Sequence, residues 1–459
     1  MANSSTGPSG MLTVTELHRL VTSGEIDTVV LAFTDMQGRL VGKRLAAGHF
    51  VEAVADHGAE CCSYLLAADV EMNTVSGYSI ADWGTGYGDM VMTPDFATLR
   101  RIPWLPGTAQ VLADLHWPDG NLVAVAPRQI LATQVGRLAE RGLVAYAATE
   151  LEFIVFDDTY RQAWASGYRG LTPATDYNAD YGLLAGARLE PMLRDIRLHM
   201  AGAGMRCEGV KGECHAGQQE ITFHYEQAML SCDNHSIYKS GAKEIAEQHG
   251  KSLTFMAKYD EREGNSCHVH ISLRGPDGTA VFADPDAPHA MSALFRNFIA
   301  GQLATLPELT LCYAPNINSY KRFVGGSFAP TVIAWGLDNR TCALRVVGHG
   351  DGLRVECRVP GGDVNPYLAV AALIAGGLHG IDNDLALPEP VAGDAYHGEL
   401  PQLPTTLGEA AALFAGSVVA RKAFGDDVVE HYLNNARVEL RAFNAAVTDW
   451  ERVRGFERF

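Results

Sequence analysis

Apolar and polar positions along the chain follow two different periods, which predict a mixture of strands and helices. Residues 109–117 and 144–156 are strand-like apolar runs, whereas 127–143 repeats its apolar positions every three to four residues. The second pattern predicts an amphipathic helix, with Pro127 at its start and Gly142 at its end. The segment 157–185, with several Tyr and Gly residues, predicts a loop. Strands and helices follow one another without a regular strand–helix–strand alternation. The pattern therefore predicts an α+β fold rather than a doubly wound sheet.

The N-terminal part of the chain predicts a tail and a small domain. Residues 1–12 are polar and predict a disordered tail. Residues 13–118 predict a small α+β domain, in which a short helix precedes two strands around a turn at 36–39. Residues 58–110 lack a clear period and predict partly irregular structure. The change of pattern near the end of this domain predicts that a second, larger domain occupies 119–459.

Composition and charge exclude several classes of function. The chain has 459 residues, of which 47% are hydrophobic and 20% charged, as is typical of a globular protein. Its net charge of −18 and pI of about 5.3 argue against a sequence-independent nucleic-acid binder and against docking on anionic lipid. No apolar run is long enough to span a membrane, and the N-terminus lacks the features of a signal peptide. The 9 cysteines include no C-x-x-C pair, which predicts a reduced, cytoplasmic protein without structural zinc.

Four stretches combine an apolar face with a face of chemically reactive side chains. In "TELEFIVF" (149–156), the period of a strand puts Glu150 and Glu152 on one face and Leu151 and Phe153 on the other. Three further stretches show the same alternation: "GECHAGQQEITF", "SCHVHISL" and "GLRVECRVP". A single sheet that carried all four would have an apolar side and a side of glutamates, histidines and arginines.

The polar side of such a sheet predicts a metal site. Carboxylates with one or two histidines suit hard divalent ions such as Mg²⁺ or Mn²⁺, and the number of carboxylates suggests about two or three ions. The neighbouring arginines suggest a phosphorylated substrate, whose charge they would offset together with the ions. Taken singly, each motif is more typical of a solvated strand face or a salt-bridge ladder. Only their combination favours the metal site.

The chain resembles the glutamine synthetase family over nearly its whole length, in motifs whose order and spacing are those of the family: "TELEFIVF", "KGECHAGQQEITF", "SCHVHISL", "NINSYKRF", "DNRTCALRV" and "RVECRVPGGDVNPYLAVAALIAGGL". The early "FTDMQGRLVGKRL" resembles the small N-terminal β-grasp domain of the family. The resemblance implies a catalytic domain with a curved antiparallel sheet, and a homo-dodecamer of two stacked hexameric rings. It also implies a reaction in which ATP phosphorylates the side-chain carboxylate of glutamate and an amine displaces the phosphate, leaving an amide.

The resemblance also assigns metal and nucleotide roles, motif by motif. The first metal would be held by three glutamates: Glu152, Glu213 and Glu220. The second metal would be held by Glu150, His268 and Glu356. The nucleotide phosphates would be contacted by His270, Ser272 and Arg354. Tyr225 falls where an aromatic ring packs near adenine, with a plain core tyrosine as the alternative.

Substrate roles follow from the resemblance in the same way. Glutamate would be gripped by Arg322, Gly264 and Arg358. Arg340 and Arg345 would face the transferred phosphoryl group, a role that suits guanidinium because it matches phosphate in two-point geometry. Tyr396 lies near the position of the family's adenylylation tyrosine, but its surroundings differ, and no regulation is expected there.

The chain departs from the ammonium-using members at the position of the amine. Those members carry a glutamate in the loop after "YKR", where this chain has Phe328, and an Asp-Gly-Ser-Ser stretch where it reads "CCSYLLAADVEM". Phenylalanine can neither trap ammonium nor take its proton. The alternative role of Phe328 is that of a packing residue in the loop. The stretch "GGSFAPTVIAWGLDNRTCALRV" is similar to the branch of γ-glutamylpolyamine and γ-glutamylethanolamide synthetases, and this resemblance implies that the amine is ethanolamine or a polyamine such as putrescine. A true glutamine synthetase and a non-catalytic structural or regulatory relative are the alternatives.

A polyamine would need an acidic subsite for its far ammonium group, whereas ethanolamine would need only a partner for its hydroxyl. The candidates for such a subsite are four acidic residues of the N-terminal domain: Glu60, Asp69, Asp82 and Asp89. The sequence does not rank them.

Overall fold

The computed structural model describes residues 10–397 and 399–459, so most of the tail predicted at 1–12 lies outside the described residues. The helices are α1 (Val14–Thr22), α2 (Ala47–His49), α3 (Ala55–His57), α4 (Pro127–Ala139), α5 (Tyr160–Ala165), α6 (Leu183–Gly202), α7 (Ala228–Gln248), α8 (Ala293–Tyr313), α9 (Pro366–Asp382), α10 (Leu407–Gly416), α11 (Val418–Phe424), α12 (Asp426–Ala445) and α13 (Asp449–Gly455). The strands are β1 (Thr28–Thr34), β2 (Leu40–Ala46), β3 (Ala59–Cys62), β4 (Asp89–Arg101), β5 (Thr108–His116), β6 (Val144–Phe156), β7 (Cys207–Gly212), β8 (Gln218–Phe223), β9 (Glu226–Gln227), β10 (Ser252–Thr254), β11 (Cys267–Arg274), β12 (Trp335–Leu337), β13 (Leu344–Val347) and β14 (Arg354–Cys357).

The N-terminal sheet has five strands in the order β2-β1-β5-β4-β3. Strands β1 and β2 form the predicted hairpin, and β1 runs parallel to β5. The hairpin turn is fixed by Asp35, whose carboxylate accepts hydrogen bonds from the backbone N–H groups of Gln37 and Arg39 at 3.0 and 2.8 Å. Helix α1 begins at Val14, directly after its N-cap Thr13. The buried core continues from this sheet into the rest of the chain, and the predicted domain boundary stays a prediction.

The larger sheet contains all four polar-faced strands, and the mixed architecture confirms the predicted α+β fold. It has nine strands, along the path β12-β13-β14-β11-β6-β8-β7 with β9 and β10 paired to β6. Neighbours on the path are antiparallel except β12 and β13. Because β14, β11, β6 and β8 are consecutive, their polar faces form one surface. Helices α7 and α9 pack against β6, and α9 is buried along nearly its whole length.

Two predictions about the whole chain can be compared with the structure. All 9 cysteines are free, and most are buried, as expected for a chain without a disulfide framework. Across residues 10–397 and 399–459, no helix combines the length and the apolar character that crossing a bilayer requires.

Two stretches predicted as irregular contain regular elements. Strand β4 runs for 13 residues inside 58–110. The sequence does not reveal this strand, because Pro94 lies within it and a bulge between Asp95 and Arg100 interrupts the alternation of apolar and polar residues. The loop predicted at 157–185 contains α5, a helix of 6 residues, which is too short to show a helical period.

An ion cluster around Arg128 connects the N-terminal sheet to helices α4, α7 and α9. Arg128 on α4 lies 2.5 Å from Asp95 on β4 and 2.6 Å from Asp114 on β5. It also lies 3.0 Å from Asp233 on α7, and Tyr367 on α9 donates its hydroxyl to the same carboxylate at 2.7 Å. Asp233 is only 1% exposed. Its negative charge therefore depends on these partners, because a buried carboxylate without a partner is costly.

Replacement of Arg128 by methionine should lower the midpoint of thermal unfolding, followed by circular dichroism. The change leaves Asp233 buried without its cation, and loss of one partner of a buried pair costs about 3–5 kcal/mol. Arg19→Met is the control, because its pair with Glu25 is exposed, and exposed pairs contribute about 0–1 kcal/mol. Equal midpoints in the two variants would show that the cluster does not stabilise the junction.

Candidate active site

The polar face of the larger sheet borders a cavity of about 540 Å³. The strand register sets the polar side chains in opposing pairs: Glu150 with His268, Glu152 with Glu220, and His270 with Glu356. The alternation of apolar and polar residues fixes this register, because a slip by one residue would turn every polar side chain of a strand into the core. Segments that are far apart in the sequence therefore meet on one surface.

Glu150, His268 and Glu356 form a group that could hold a divalent ion. One possible ligand atom from each lies within 4.8 Å of the others. His268 Nδ1 lies 3.4 Å from a carboxylate oxygen of Glu150 and 3.4 Å from one of Glu356. Burial and the nearby charge of Arg358 lower the pKa of His268, which favours the neutral imidazole that binds metals. Glu356 is fully buried and accepts hydrogen bonds from Arg358 at 2.5 Å and Arg345 at 2.9 Å.

Glu152, Glu213 and Glu220 form a second group, whose ligand atoms also lie within 4.8 Å of one another. Burial and the neighbouring charge of Glu150 raise the pKa of Glu220 to about 8. Lys211 pairs with Glu213, and its Nζ atom lies 3.7 Å from Glu220. Carboxylates this close repel one another, so the group is stable as an anion only beside a cation.

The two groups have the donor chemistry of Mg²⁺ or Mn²⁺ sites. Carboxylate oxygens with a single imidazole are ligands that hard divalent ions prefer, and neither group includes a thiol. Besides burial, repulsion from Glu150 raises the pKa of Glu220, and a bound dication would offset that repulsion. The residues present therefore fit the metal ions that glutamine synthetases use.

Two buried arginines and a glycine lie together in the cavity lining. Arg322 and Arg358 are each 4% exposed, and the Nε–H group of each finds no acceptor among the described residues. Such donors are usually satisfied, because an unpaired buried polar group costs free energy. Gly264 has no room for a side chain, since a Cβ atom there would lie 2.1 Å from the carbonyl oxygen of Ala257. This corner could bind the carboxylate of an amino acid.

Arg340 and Arg345 line the same cavity near β13. Arg345 is fixed by its hydrogen bond to Glu356 and by a pair with Asp338. Arg340 is exposed in the turn that precedes the strand. Both guanidinium groups could contact a phosphoryl group held in the cavity.

Residues assigned to the nucleotide phosphates continue this polar surface beyond the cavity lining. His270 Nε2 lies 2.8 Å from Glu150, and Arg354 Nε donates to His270 Nδ1 at 3.2 Å. Ser272 follows on the same face of β11, two residues from His270. The phosphates of a nucleotide bound along His270, Arg354 and Ser272 would lie next to the metal-type ligand residues.

Tyr225 is 43% exposed, so the alternative of a plain core tyrosine is wrong. Its ring meets Tyr146 edge-on at a centroid distance of 5.9 Å. The guanidinium of Arg274 lies 6.0 Å from the ring centre. Tyr146 pairs with Ser272 in the sheet, so this aromatic pair continues the row of phosphate-binding candidates. It offers a flat apolar surface of the kind that stacks on a base.

The Phe328 loop, residues 324–329, supplies another part of the cavity lining. Phe328 is 57% exposed, and its carbonyl oxygen accepts a hydrogen bond from Arg358 Nη2 at 3.3 Å. Its φ of +58° lies in the left-handed region, which side chains other than glycine rarely adopt. Such a conformation persists only where the surrounding structure holds it.

Further cavity-lining residues were missed by the sequence analysis: Asp180, Tyr181, Lys211, Cys214 and Glu263. Lys211 and Cys214 lie inside the stretch "KGECHAGQQEITF", so their spacing from Glu213 could have indicated them. Asp180 and Tyr181 lie in the loop at 157–185, where no period places a side chain. Within the described part of this chain, the cavity is not lined by any of the acidic candidates of the N-terminal domain: Glu60, Asp69, Asp82 and Asp89.

Comparisons with known proteins agree with this geometry. The family described as "Glutamine synthetase, catalytic domain" matches residues 124–454. The γ-glutamylethanolamide synthetase GlnA4 of Streptomyces coelicolor is 61% identical over 447 residues, which cover 97% of this chain and 96% of that protein. A glutamate–isopropylamine ligase of a Pseudomonas species is 36% identical over 446 residues, or 96% of this chain and 97% of that protein. A solved GmaS complex with ADP has a TM-score of 0.85 and 26% identity, and covers 96% of this chain and 99% of its own. The chain belongs to the glutamine synthetase family.

Proposed function

We propose that the protein is an ATP-dependent ligase that joins the γ-carboxylate of glutamate to a primary organic amine. The observation that supports this best is one cavity that holds two metal-type ligand groups beside buried arginines whose Nε–H donors find no acceptor in the described part of the chain. Relatives at 61% and 36% identity are named as a γ-glutamylethanolamide synthetase and a glutamate–isopropylamine ligase. A non-catalytic relative would be expected to lose ligands from these groups, and both groups are complete.

The reaction would proceed in two steps. A γ-carboxylate oxygen of glutamate attacks the terminal phosphorus of ATP, and ADP leaves. The amine nitrogen then attacks the acyl carbon of the γ-glutamyl phosphate, phosphate leaves with the bonding electron pair, and the nitrogen loses a proton. Bound Mg²⁺ or Mn²⁺, about two or three ions per site, would offset the charge of the phosphates.

The side chains of the cavity have distinct roles in this proposal. The two sets of metal-type ligand residues hold the ions. Arg322 and Arg358 bind glutamate, and their burial strengthens the charged hydrogen bonds that they make. Arg340 and Arg345 stabilise the negative charge on the transferred phosphoryl group. The row of residues that ends at Tyr225 binds ATP.

We infer that the amine is small, with ethanolamine favoured over a polyamine. The relative at 61% identity is named for the ethanolamide product. Phe328 presents an apolar ring to the cavity in place of a carboxylate that would trap ammonium. Asp180 and Glu263 on the cavity wall offer acceptors for an amine or a hydroxyl group.

An amine panel tests this proposal directly. With ATP, glutamate and Mg²⁺, ethanolamine should give phosphate release and γ-glutamylethanolamide, identified by mass spectrometry. Its kcat/KM should exceed that of ammonium by about tenfold or more, because an amine that fills the pocket gains contacts that ammonium cannot make. Putrescine and isopropylamine complete the panel. A higher kcat/KM for ammonium would identify a glutamine synthetase, and no turnover with any amine would favour the non-catalytic alternative.

The homo-dodecamer of two stacked hexameric rings and the cytoplasmic location stay predictions. Both come from the family resemblance and from composition.

A further inference from the structure

The segment 391–396 contacts both the turn that carries Arg340 and the loop that carries Phe328. Asn339 and Thr341, the two neighbours of Arg340 in the turn, both form hydrogen bonds with the segment. Asn339 donates from Nδ2 to the carbonyl oxygens of residues 391 and 393 at 3.0 and 2.7 Å. The hydroxyl of Thr341 accepts a hydrogen bond from the backbone N–H of Ala395 at 2.9 Å.

Apolar packing strengthens the same connection. Ala395 is fully buried in a small cluster with Cys342, Val332 and Ala334, and Val391 packs against that cluster. The segment is therefore attached to the turn on both its polar and its apolar side. Movement of the segment would have to move the turn as well.

The other side of the segment is held by a single side chain. The hydroxyl of the half-buried Tyr396 donates to the carbonyl oxygen of Ala329 at 3.0 Å, and its ring lies against Gly325. Within the described residues, the part of the Phe328 loop after Val324 accepts two hydrogen bonds from outside the loop. One comes from Tyr396, and the other runs from Arg358 to the carbonyl oxygen of Phe328. Phe328 has a positive φ, which is unfavourable for a residue other than glycine, so the loop needs external contacts to keep its conformation.

We propose that Tyr396 is a positioning residue that couples the Phe328 loop to the Arg340 turn through the segment 391–396. The inference rests on the proposed ligase function and adds to it a role for a residue that does not line the cavity. While the coupling holds, the Phe328 loop and Arg340 keep a fixed position relative to each other. The γ-glutamyl phosphate is then shielded until the amine attacks.

The coupling has a chemical consequence that can be measured. If the loop loosens, water replaces the amine as the nucleophile at the acyl carbon, and the products are glutamate and phosphate instead of amide and phosphate. ATP is then consumed without amide formation. The ratio of phosphate released to amide formed reports this loss, whereas a general loss of folded protein leaves the ratio unchanged.

Tyr396→Phe tests the proposal, because it removes one hydroxyl and keeps the ring. In the full-length protein with ATP, glutamate and ethanolamine, phosphate released per amide should rise by about 2- to 10-fold, the range expected for one neutral hydrogen bond. The KM for ethanolamine should rise more than kcat for amide formation falls. Hydrogen–deuterium exchange at residues 324–329 should become faster.

Tyr432→Phe is the matched control. Its hydroxyl also donates to a backbone carbonyl at 3.0 Å, that of Val125, and Tyr432 lies on α12 outside the cavity lining. This variant should keep the wild-type ratio and the wild-type exchange at the loop. A Tyr396→Phe variant with wild-type ratio and exchange would overturn the proposal.

A second variant tests the other end of the connection. Thr341→Val removes the acceptor for the N–H of Ala395, and its effect on the ratio should be less than additive with that of Tyr396→Phe, because both changes weaken the same connection between the turn and the loop. Full additivity would mean that the two contacts act separately and would overturn the coupling. Wild-type protein without turnover on any amine would refute the ligase function instead, and the exchange measurement would still decide whether Tyr396 holds the loop.

Discussion

Glu356→Gln should lower kcat/KM for amide formation by about 10³ or more. The side chain is fully buried and lies with Glu150 and His268 in one of the two proposed metal groups. Glutamine keeps its shape but not its charge, so the bound ion would be lost or weakened. An ion contributes several kcal/mol of charge stabilisation to the transition state, and about 4 kcal/mol corresponds to a thousandfold in rate. Initial rates and an isotherm for Mn²⁺ binding would measure the two effects.

The control for this change is Glu244→Gln. Glu244 accepts a hydrogen bond from Trp104 Nε1 at 2.6 Å and does not line the active-site cavity. This variant should bind the same number of ions as the wild type and keep its rate. If Glu356→Gln also kept both, the carboxylate of Glu356 would not be a metal ligand, and the arrangement of Glu150, His268 and Glu356 would have to be explained by the arginine pairs of Glu356 alone.

Much of the candidate site could be predicted from the sequence because a strand has a period of two. Once Leu151 and Phe153 are assigned to the core, Glu150 and Glu152 must share the opposite face. The same reasoning applies to the other three strands. Alternation cannot say which strands are neighbours, however, and here the order of the motifs of a known family supplied the missing information.

The parts of the fold and the site that could not be predicted depend on contacts that follow no periodic pattern in the sequence. Asp180 reaches the cavity from a loop. The acids around Arg128 come from three separate elements, and the partner of Tyr396 is a backbone carbonyl 67 positions away. A sequence shows which side chains are available for such contacts, but not the directions in which loops carry them. Strand β4 shows the converse, because its pairing with the neighbouring strands is kept although Pro94, an unfavourable residue for a strand, lies within it.

Phe328→Glu should shift the ratio of kcat/KM for ethanolamine to that for ammonium by about 100-fold toward ammonium. The ring of Phe328 lines the cavity and is partly exposed to it, so a carboxylate there would meet the amine site. Loss of an apolar contact to the carbon chain costs about 1–3 kcal/mol, or 10- to 200-fold in rate. Ammonium would in turn gain an acid that can hold it and accept its proton. Competition between the two amines at fixed glutamate and ATP measures the ratio in one experiment.

Phe328→Leu separates the charge of the new side chain from the loss of the ring. Leucine is also an L-residue at φ +58°, so the two variants share the backbone strain of this position and differ in polarity. Leucine should keep the preference for ethanolamine, perturbed by at most about tenfold, since an apolar residue of similar size costs little. If leucine and glutamate moved the ratio equally, the shape of the loop would set the preference rather than the absence of a carboxylate. If neither moved it, the amine would be selected elsewhere on the cavity wall, and Asp180 and Glu263 would be the side chains to replace next.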